Sequence, residues 1–271
     1  MKPDFPNSCL NPKTDNQLSL ERYRKRAAGY DASAQRTMGL RLRTVALLQL
    51  QPGQVVLDVG AGTGLSYAPL LHAVGFGGRV LAFEQSPDMF RQAQARVQRE
   101  GWDMSIRHNC EAAETVQLPQ APDAVLFNYV HDITRTPQAV ANILSQCKPG
   151  ARVAMAGMKF FPWWTGPLNL LAWLKNRPYN ARAADLWHPW SLVQAYCESF
   201  QWWPTQAGMG YIAEGRLAGS LQQATLATRR ASSQVATASG RTRVRFAGPL
   251  NPAWPVLPGY SSRPAPLLCP S

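Results

Sequence analysis

The chain has no acidic residue after Glu214, no C-x-x-C pair and no long uninterrupted apolar run. Each absence excludes something. The five cysteines, Cys9, Cys110, Cys147, Cys197 and Cys269, lie far apart with no histidine at ligand spacing. That argues against a zinc site and against a disulfide framework, and implies reduced thiols. The longest apolar stretch, Phe160 to Leu174, is broken by Pro162 and Pro167 and carries Asn169, so it is too interrupted to span a bilayer. The first residues, MKPDFPNSCLNPKTDNQ, contain no apolar core of a secretory signal and no evident transit peptide. The expectation is a cytoplasmic protein. Lack of acid also explains the formal net charge of +12. Arg229, Arg230, Arg241, Arg243, Arg245 and Arg263 stand near the end of the chain without a counter-charge, so half the excess belongs to the tail and not to a folded face.

What is present divides the 271 residues into three parts. Residues 1–19 are polar and proline-punctuated, a flexible arm. Residues 20–221 carry the periodic patterns of one folded domain. Residues 222–271, rich in Pro, Ser, Ala and Arg without a sustained period, are expected to be a disordered basic tail. Within the domain, apolar positions from Tyr23 to Leu48 recur at threes and fours, as helices require, with a break near Gly29 and Asp31. Then strand-like and helical stretches alternate. Val55–Leu57 is a short apolar run, Leu65–Val74 is helical, Arg79–Phe83 is a strand, and Pro87–Glu100 is a helix opened by Ser86. Met104–His108, Ala124–Tyr129 and Arg152–Gly157 follow as strands, with a helical stretch between Thr136 and Cys147. This cadence predicts an α/β fold with a doubly wound, mostly parallel sheet. Between Lys159 and Phe200 an aromatic-rich segment, helical near Leu168–Lys175 and Trp190–Ser199, reads as a substrate-side insertion. Trp202–Ala207 and Gly210–Arg216 read as a closing pair that brings the sheet to seven strands.

The first strand runs into Asp58-Val-Gly60-Ala61-Gly62-Thr-Gly64 and then into a helix. Glycines there admit positive φ and let a ligand approach the backbone at the carboxyl edge of a parallel sheet. Dinucleotide-binding loops share that context, but their spacing is G-x-G-x-x-G and they face a pyrophosphate. Here the spacing is G-x-G-x-G with an acid two positions earlier. That acid suits a cationic ligand better than a phosphate. On these residues the chain resembles the class I S-adenosylmethionine-dependent methyltransferases, especially the small-molecule group similar to the ubiquinone and menaquinone biosynthesis enzymes, over roughly Tyr23 to Leu217. The resemblance implies S-adenosylmethionine as cofactor. It also implies that Glu84, ending the second strand, accepts hydrogen bonds from the ribose hydroxyls, and that Gln85 and Met89 flank the ribose and adenine. Cys110-Glu111-Ala112 stands where the family usually has Gly-Asp-Ala, which places Glu111 and Ala112 at the adenine amino group. Asn128 and Tyr129 match the position beneath the methionine portion.

Methyl transfer needs in-line orientation and exclusion of water more than a covalent catalyst. If the acceptor is a phenol or hydroxyl, His131 is the candidate base by position, because imidazole titrates near neutral pH. Alternatively it caps its loop. Acceptor contacts are expected from Tyr23 and Tyr30, and from an aromatic set that includes Phe160, Phe161, Trp163, Trp164, Tyr179, Trp187 and Trp190. The expected partner is a small-molecule or lipid acceptor, methylated on O or N. KFFPWWTGPLN with its later HPW also resembles bacterial lipid amine methyltransferases, which implies phosphatidylethanolamine-type acceptors as the second choice. Enzymes that methylate exocyclic base amines carry Asp/Asn-Pro-Pro-aromatic after the fourth strand. This chain has Asn128-Tyr129-Val130-His131, which argues against nucleic acid. A non-catalytic protein that binds S-adenosylmethionine, or an anionic partner through the basic tail, is the alternative from another class.

Overall fold

The computed structural model describes residues 37–160 and 186–219. The chain divides at residue 240 into two units, and the described residues all belong to the first. The readings made above for residues 1–36, 161–185 and 220–271 lie outside the described residues.

Short apolar runs become strands because both their faces are buried. β1 (Val55–Val59), β2 (Arg79–Phe83), β3 (Ile106–Asn109), β4 (Ala124–Asn128) and β5 (Arg152–Met158) pair in parallel. β6 (Cys197–Thr205) and β7 (Gly210–Leu217) form an antiparallel pair, and β7 joins the sheet antiparallel to β5. The order is β3-β2-β1-β4-β5-β7-β6, a seven-stranded, mostly parallel sheet as expected. Alternation along each strand sends side chains to two separate cores. Val56, Val80, Ala82 and Leu126 pack beneath α1 (Met38–Leu47), α2 (Tyr67–Val74) and α3 (Pro87–Glu100). Leu57, Val59, Phe83, Phe127 and Met155 pack on the other face, against α5 (Pro137–Ser145) and the short α6 (Ser191–Gln194). A one-turn helix, α4 (His131–Thr134), leads from β4 to α5.

Local chemistry explains the boundaries. α3 begins where Ser86 is extended and Pro87 fixes φ at the first helical position. It buries Met89, Ala93 and Val97, spaced by four, and ends where Gly101 turns left-handed and donates its N–H to the Gln98 carbonyl. The strand at Arg79–Phe83 and the helix at Pro87–Glu100 coincide with the sequence reading. Met104 stays out of β3 and is exposed, and Tyr129 leaves β4 because its φ is +61°.

The helix expected over Trp190–Ser199 is corrected. Only Ser191–Gln194 is helical, and Cys197 onward is the edge strand β6. The run CESFQWWPT pairs along β7, and the ladder with its aromatic neighbours overrides a weak helical pattern. Trp190 is likewise core and not part of an acceptor wall. It is buried, stacks on Trp202 at 4.4 Å between ring centroids and meets Tyr211 at 4.8 Å. We predict that Trp190→Ala lowers stability by about 3–5 kcal/mol in urea denaturation. A change within experimental error would remove Trp190 from the core.

Candidate active site

The floor of the site is the turn between β1 and α2. Gly60 and Gly62 have φ of +57° and +60°, a region that favours glycine. At Gly60 a Cβ would also meet Val130 Cγ1 at 2.8 Å and Ile133 Cδ1 at 3.0 Å. The turn is fixed from the side of β2. Ala61 donates its N–H to the Phe83 carbonyl at 3.0 Å, and Gly62 donates its N–H to Glu84 Oε2 at 2.9 Å. The other carboxylate oxygen, Oε1, accepts the N–H of Ser86 at 2.8 Å. From α3, Arg96 Nε donates to the Thr63 carbonyl at 3.0 Å. Burial raises the Glu84 carboxyl above its usual range, and the backbone N–H groups of Ser86, Gly62 and Gln85 partly offset that.

Above this floor opens a solvent-accessible cleft. Gly60, Ala61, Gly62, Glu84, Gln85, Met89, Asn128 and Tyr129 line it, all residues that the sequence singled out. Asn128, at the tip of β4, is buried with neither amide atom hydrogen-bonded. Asp58 does not line the cleft. It sits under the glycine floor, 2% exposed, and its Oδ2 has no partner. Burial pushes its carboxyl up to about 7, the Arg41 charge lowers it and Glu84 raises it. Buried polar atoms without partners are costly. Here the amide of Asn128 faces the cleft, where a polar ligand could satisfy it.

Besides Asp58, four sequence candidates among the described residues are absent from the lining: Gly64, Glu111, Ala112 and His131. Gly64 serves packing, because a Cβ there would stand 2.5 Å from the Tyr67 ring. The Glu111 carboxylate accepts a hydrogen bond from Asn109 Nδ2 at 3.0 Å, and Ala113 faces the cleft in place of Ala112. Tyr23, Tyr30, Trp163 and Trp164 lie outside the described residues. The sequence reading missed Arg41, Phe83, Ala113, Val130, Asp132 and Ile133, which also line the cleft. Arg41 left a legible signal: it stands three residues after Met38 and four before Val45, a charge on the apolar phase of a helix. Val130 and Ile133 left none, since a single helical turn has no measurable period.

A methyltransferase-domain family profile matches residues 56–150. The demethylmenaquinone methyltransferase of Thermobifida fusca is 31% identical over 182 residues, covering 62% of this chain and 70% of that protein. The chain belongs to the class I S-adenosylmethionine-dependent methyltransferases. The protein-L-isoaspartate O-methyltransferase of Aeropyrum pernix is 29% identical over 136 residues, 50% of this chain and 48% of that protein. This methyltransferase chain thus spans about half the length of the first curated relatives it matches. Among solved structures, a SAM-dependent methyltransferase from Aquifex aeolicus superposes with a TM-score of 0.52 at 17% identity, covering 73% of this chain and 98% of that one. An O-methyltransferase family protein from Burkholderia thailandensis gives 0.55 at 14%, covering 73% and 62%. These structural likenesses show the fold. Among the described residues of the methyltransferase, no group of His, Cys, Asp and Glu could hold a metal ion, and no helix is long and apolar enough to cross a membrane.

His131, the sequence candidate for a base in this methyltransferase, is held in place by its surroundings. Its ring is buried and its Nε2 accepts the Met158 N–H at 2.9 Å, which places the proton of the neutral ring on Nδ1. The lone pair that a base would use is already engaged by β5. Gly157 makes room for the ring, since a Cβ there would stand 2.6 Å from His131 Cε1. Burial, helped by the Arg135 charge, lowers the imidazole from 6.5 to about 4. The unfolded chain therefore takes up a proton near pH 6.5 that the folded chain refuses until about pH 4. Stability contributed by the neutral ring is present above pH 6.5 and lost as pH falls toward 4. We predict that His131→Gln makes chemical-denaturation stability less dependent on pH across that interval. An unchanged slope would contradict the buried neutral imidazole.

Proposed function

We propose that the cleft over the glycine turn binds S-adenosylmethionine and that the chain methylates a small-molecule or lipid acceptor. When bound, the cofactor supplies a methyl group made electrophilic by the adjacent sulfonium. The chain's residues supply orientation and charge. Glu84 keeps acceptor capacity beyond that used by the Gly62, Ser86 and Gln85 N–H groups, so it can accept a ribose hydroxyl. Gln85 and Met89, continuing from it into α3, flank the ribose and adenine, and Ala113 narrows the same end. Asn128 offers both a donor and an acceptor toward the amino-acid end. Tyr129 and the Val130–Ile133 turn close the side next to β4 and limit water there.

The orphaned Asp58 Oδ2 beneath two positive-φ glycines carries this reading. An ionised carboxylate in a desolvated position favours a cationic ligand and disfavours a pyrophosphate. His131 acts as a positioning residue that ties the start of α4 to β5, and methyl transfer by this chain relies on orientation without that imidazole as base. The relative named for demethylmenaquinone matches more of this chain than the relative named for isoaspartyl protein, which supports a small acceptor over a protein one.

Burial raises the Asp58 carboxyl to about 7. Its ionised form attracts the cationic ligand, so affinity is low when the group is protonated and rises as pH approaches 7. Calorimetric titration of S-adenosylmethionine should show affinity rising by up to about tenfold from pH 5.5 to pH 7, one linked proton per site. That window stays below the ligand's own amino titration, about 7.7–8.0 in model compounds. Asp58→Asn should flatten the dependence. Absence of binding to folded protein at either pH would overturn the assignment of the cleft. With binding established, transfer of a labelled methyl group to a panel of phenols and lipid amines tests the acceptor class.

A further inference from the structure

The carboxyl edge of the sheet carries a second polar feature, one strand away from the cleft wall. Asn128 at the tip of β4 stands opposite Ala156 in β5, and β5 continues past it to Lys159, whose N–H bonds the Met209 carbonyl at 2.9 Å. Alternation puts the Lys159 side chain on the face of Val153, Met155 and Gly157, the face that holds Trp190, Trp202 and the His131 ring. There it is buried, only 8% exposed. Its ammonium donates to the Phe160 carbonyl at 2.9 Å and stands 5.6 Å from the centroid of the Trp202 ring. An ammonium has three donors. The described residues take up one of them, and no carboxylate among them forms a salt bridge with Lys159. A charge so placed is costly unless one of opposite sign offsets it, and burial accordingly lowers the Lys159 ammonium from its usual range.

The surroundings of this ammonium are aromatic. Trp202 is backed by Trp190, so the ring beneath the charge is fixed. Phe160 donates its N–H to the Leu186 carbonyl at 2.9 Å, which brings the following residues alongside. Trp187 meets Phe160 edge-on at 5.3 Å between ring centroids and remains 40% exposed. His188 is near enough that the Lys159 charge, after burial, lowers its imidazole. A buried cation with donors to spare, beside a large ring left in solvent, matches a ligand that joins an oxyanion to an apolar body. We propose that Lys159 anchors a carboxylate or phosphate carried by the methyl acceptor, with the apolar part of that acceptor along Trp187. The inference rests on the cleft being the S-adenosylmethionine site. It narrows the acceptor to one that bears an anionic group, on a soluble aryl compound or in a lipid headgroup. Lys159 selects that acceptor and takes no part in moving the methyl group.

The test is calorimetric titration of four probes into the full chain saturated with S-adenosylhomocysteine: benzoate, phenyl phosphate, dihexanoyl phosphatidic acid and, as the neutral control, benzyl alcohol. Wild type should bind at least one anionic probe about 10- to 100-fold more tightly than benzyl alcohol, the range for a charge-assisted hydrogen bond. A tighter fit for phosphatidic acid than for phenyl phosphate points to a lipid headgroup, and the reverse order to a soluble aryl acceptor. Lys159→Met should erase the preference for anions while leaving the affinity for S-adenosylhomocysteine within about twofold, since no donor contact is lost. Its stability in urea should hold or rise, because an apolar side chain replaces a buried charge. A merely structural lysine would instead lose stability and leave the anion preference as it was. Lys159→Arg keeps the cation and covers the case in which Lys159→Met fails to fold. It should still prefer anions, with an affinity shifted severalfold by the different geometry of its donors. No preference for anions in wild type, or one that neither substitution changes, would overturn the role of Lys159 while leaving the cofactor site standing. If folded wild type does not bind S-adenosylhomocysteine, the cofactor reading itself fails.

Discussion

The carboxylate of Glu84 holds the site together. One oxygen takes the Gly62 N–H from the turn after β1, and the other takes the Ser86 N–H from the turn into α3. A single buried side chain thus fixes two crossover turns relative to each other, and in the low dielectric of that position such bonds are strong. Everything around the cleft depends on that spacing. The turn holds its shape because the N–H groups of Ala61 and Gly62 are satisfied by Phe83 and Glu84, at the end of β2 and just beyond it.

The sheet sets where this tether stands. From β1 the chain moves outward through β2 and β3, and from β4 it moves outward the other way through β5. Neighbouring crossovers therefore leave β1 and β4 on opposite faces, and a crevice opens between their carboxyl ends. The tip of β4 supplies Asn128 and Tyr129 to one wall, and the turns after β1 and β2 supply the glycines, Glu84 and Gln85 to the other. The antiparallel β7 continues the sheet beyond β5 and buries Tyr211 and Ala213 against the same core as Met155. His131 joins the two halves by accepting the Met158 N–H on its Nε2, so the imidazole contributes to the shape of the site.

Much of this was legible in the chain. Four of the five parallel strands are apolar runs bounded by turns, β3 with its single Ile106 being the exception, and α3 is marked by Ser86, Pro87 and Gly101 with Met89, Ala93 and Val97 between them. The glycine spacing and the acid at Asp58 distinguished this loop from a pyrophosphate loop. What failed to show has physical reasons. The start of β6 was taken for helix because Tyr196, Phe200 and their neighbours satisfy a helical spacing as well as an edge strand does, and only pairing with β7 decides. The inward turn of His131 depends on Gly157 and Met158, some twenty-six residues away in sequence, which no local pattern encodes. The one-residue shift from Ala112 to Ala113 arises from how the turn after β3 is closed, with the Ala112 carbonyl accepting the Val116 N–H at 3.0 Å. Arg41 stands in sequence as a charge on the apolar phase of its helix, and only the fold brings it to the cleft wall beside the Tyr129 ring.

Hydrogen exchange resolved to individual peptides, with and without S-adenosylhomocysteine, tests the central claim most directly. The structure predicts that the ligand slows exchange in three separate stretches, residues 58–64, 84–90 and 128–133, because these line or support one cleft. The edge pair β6 and β7 should be unaffected. Binding that protects other segments and leaves these three unchanged would contradict the account.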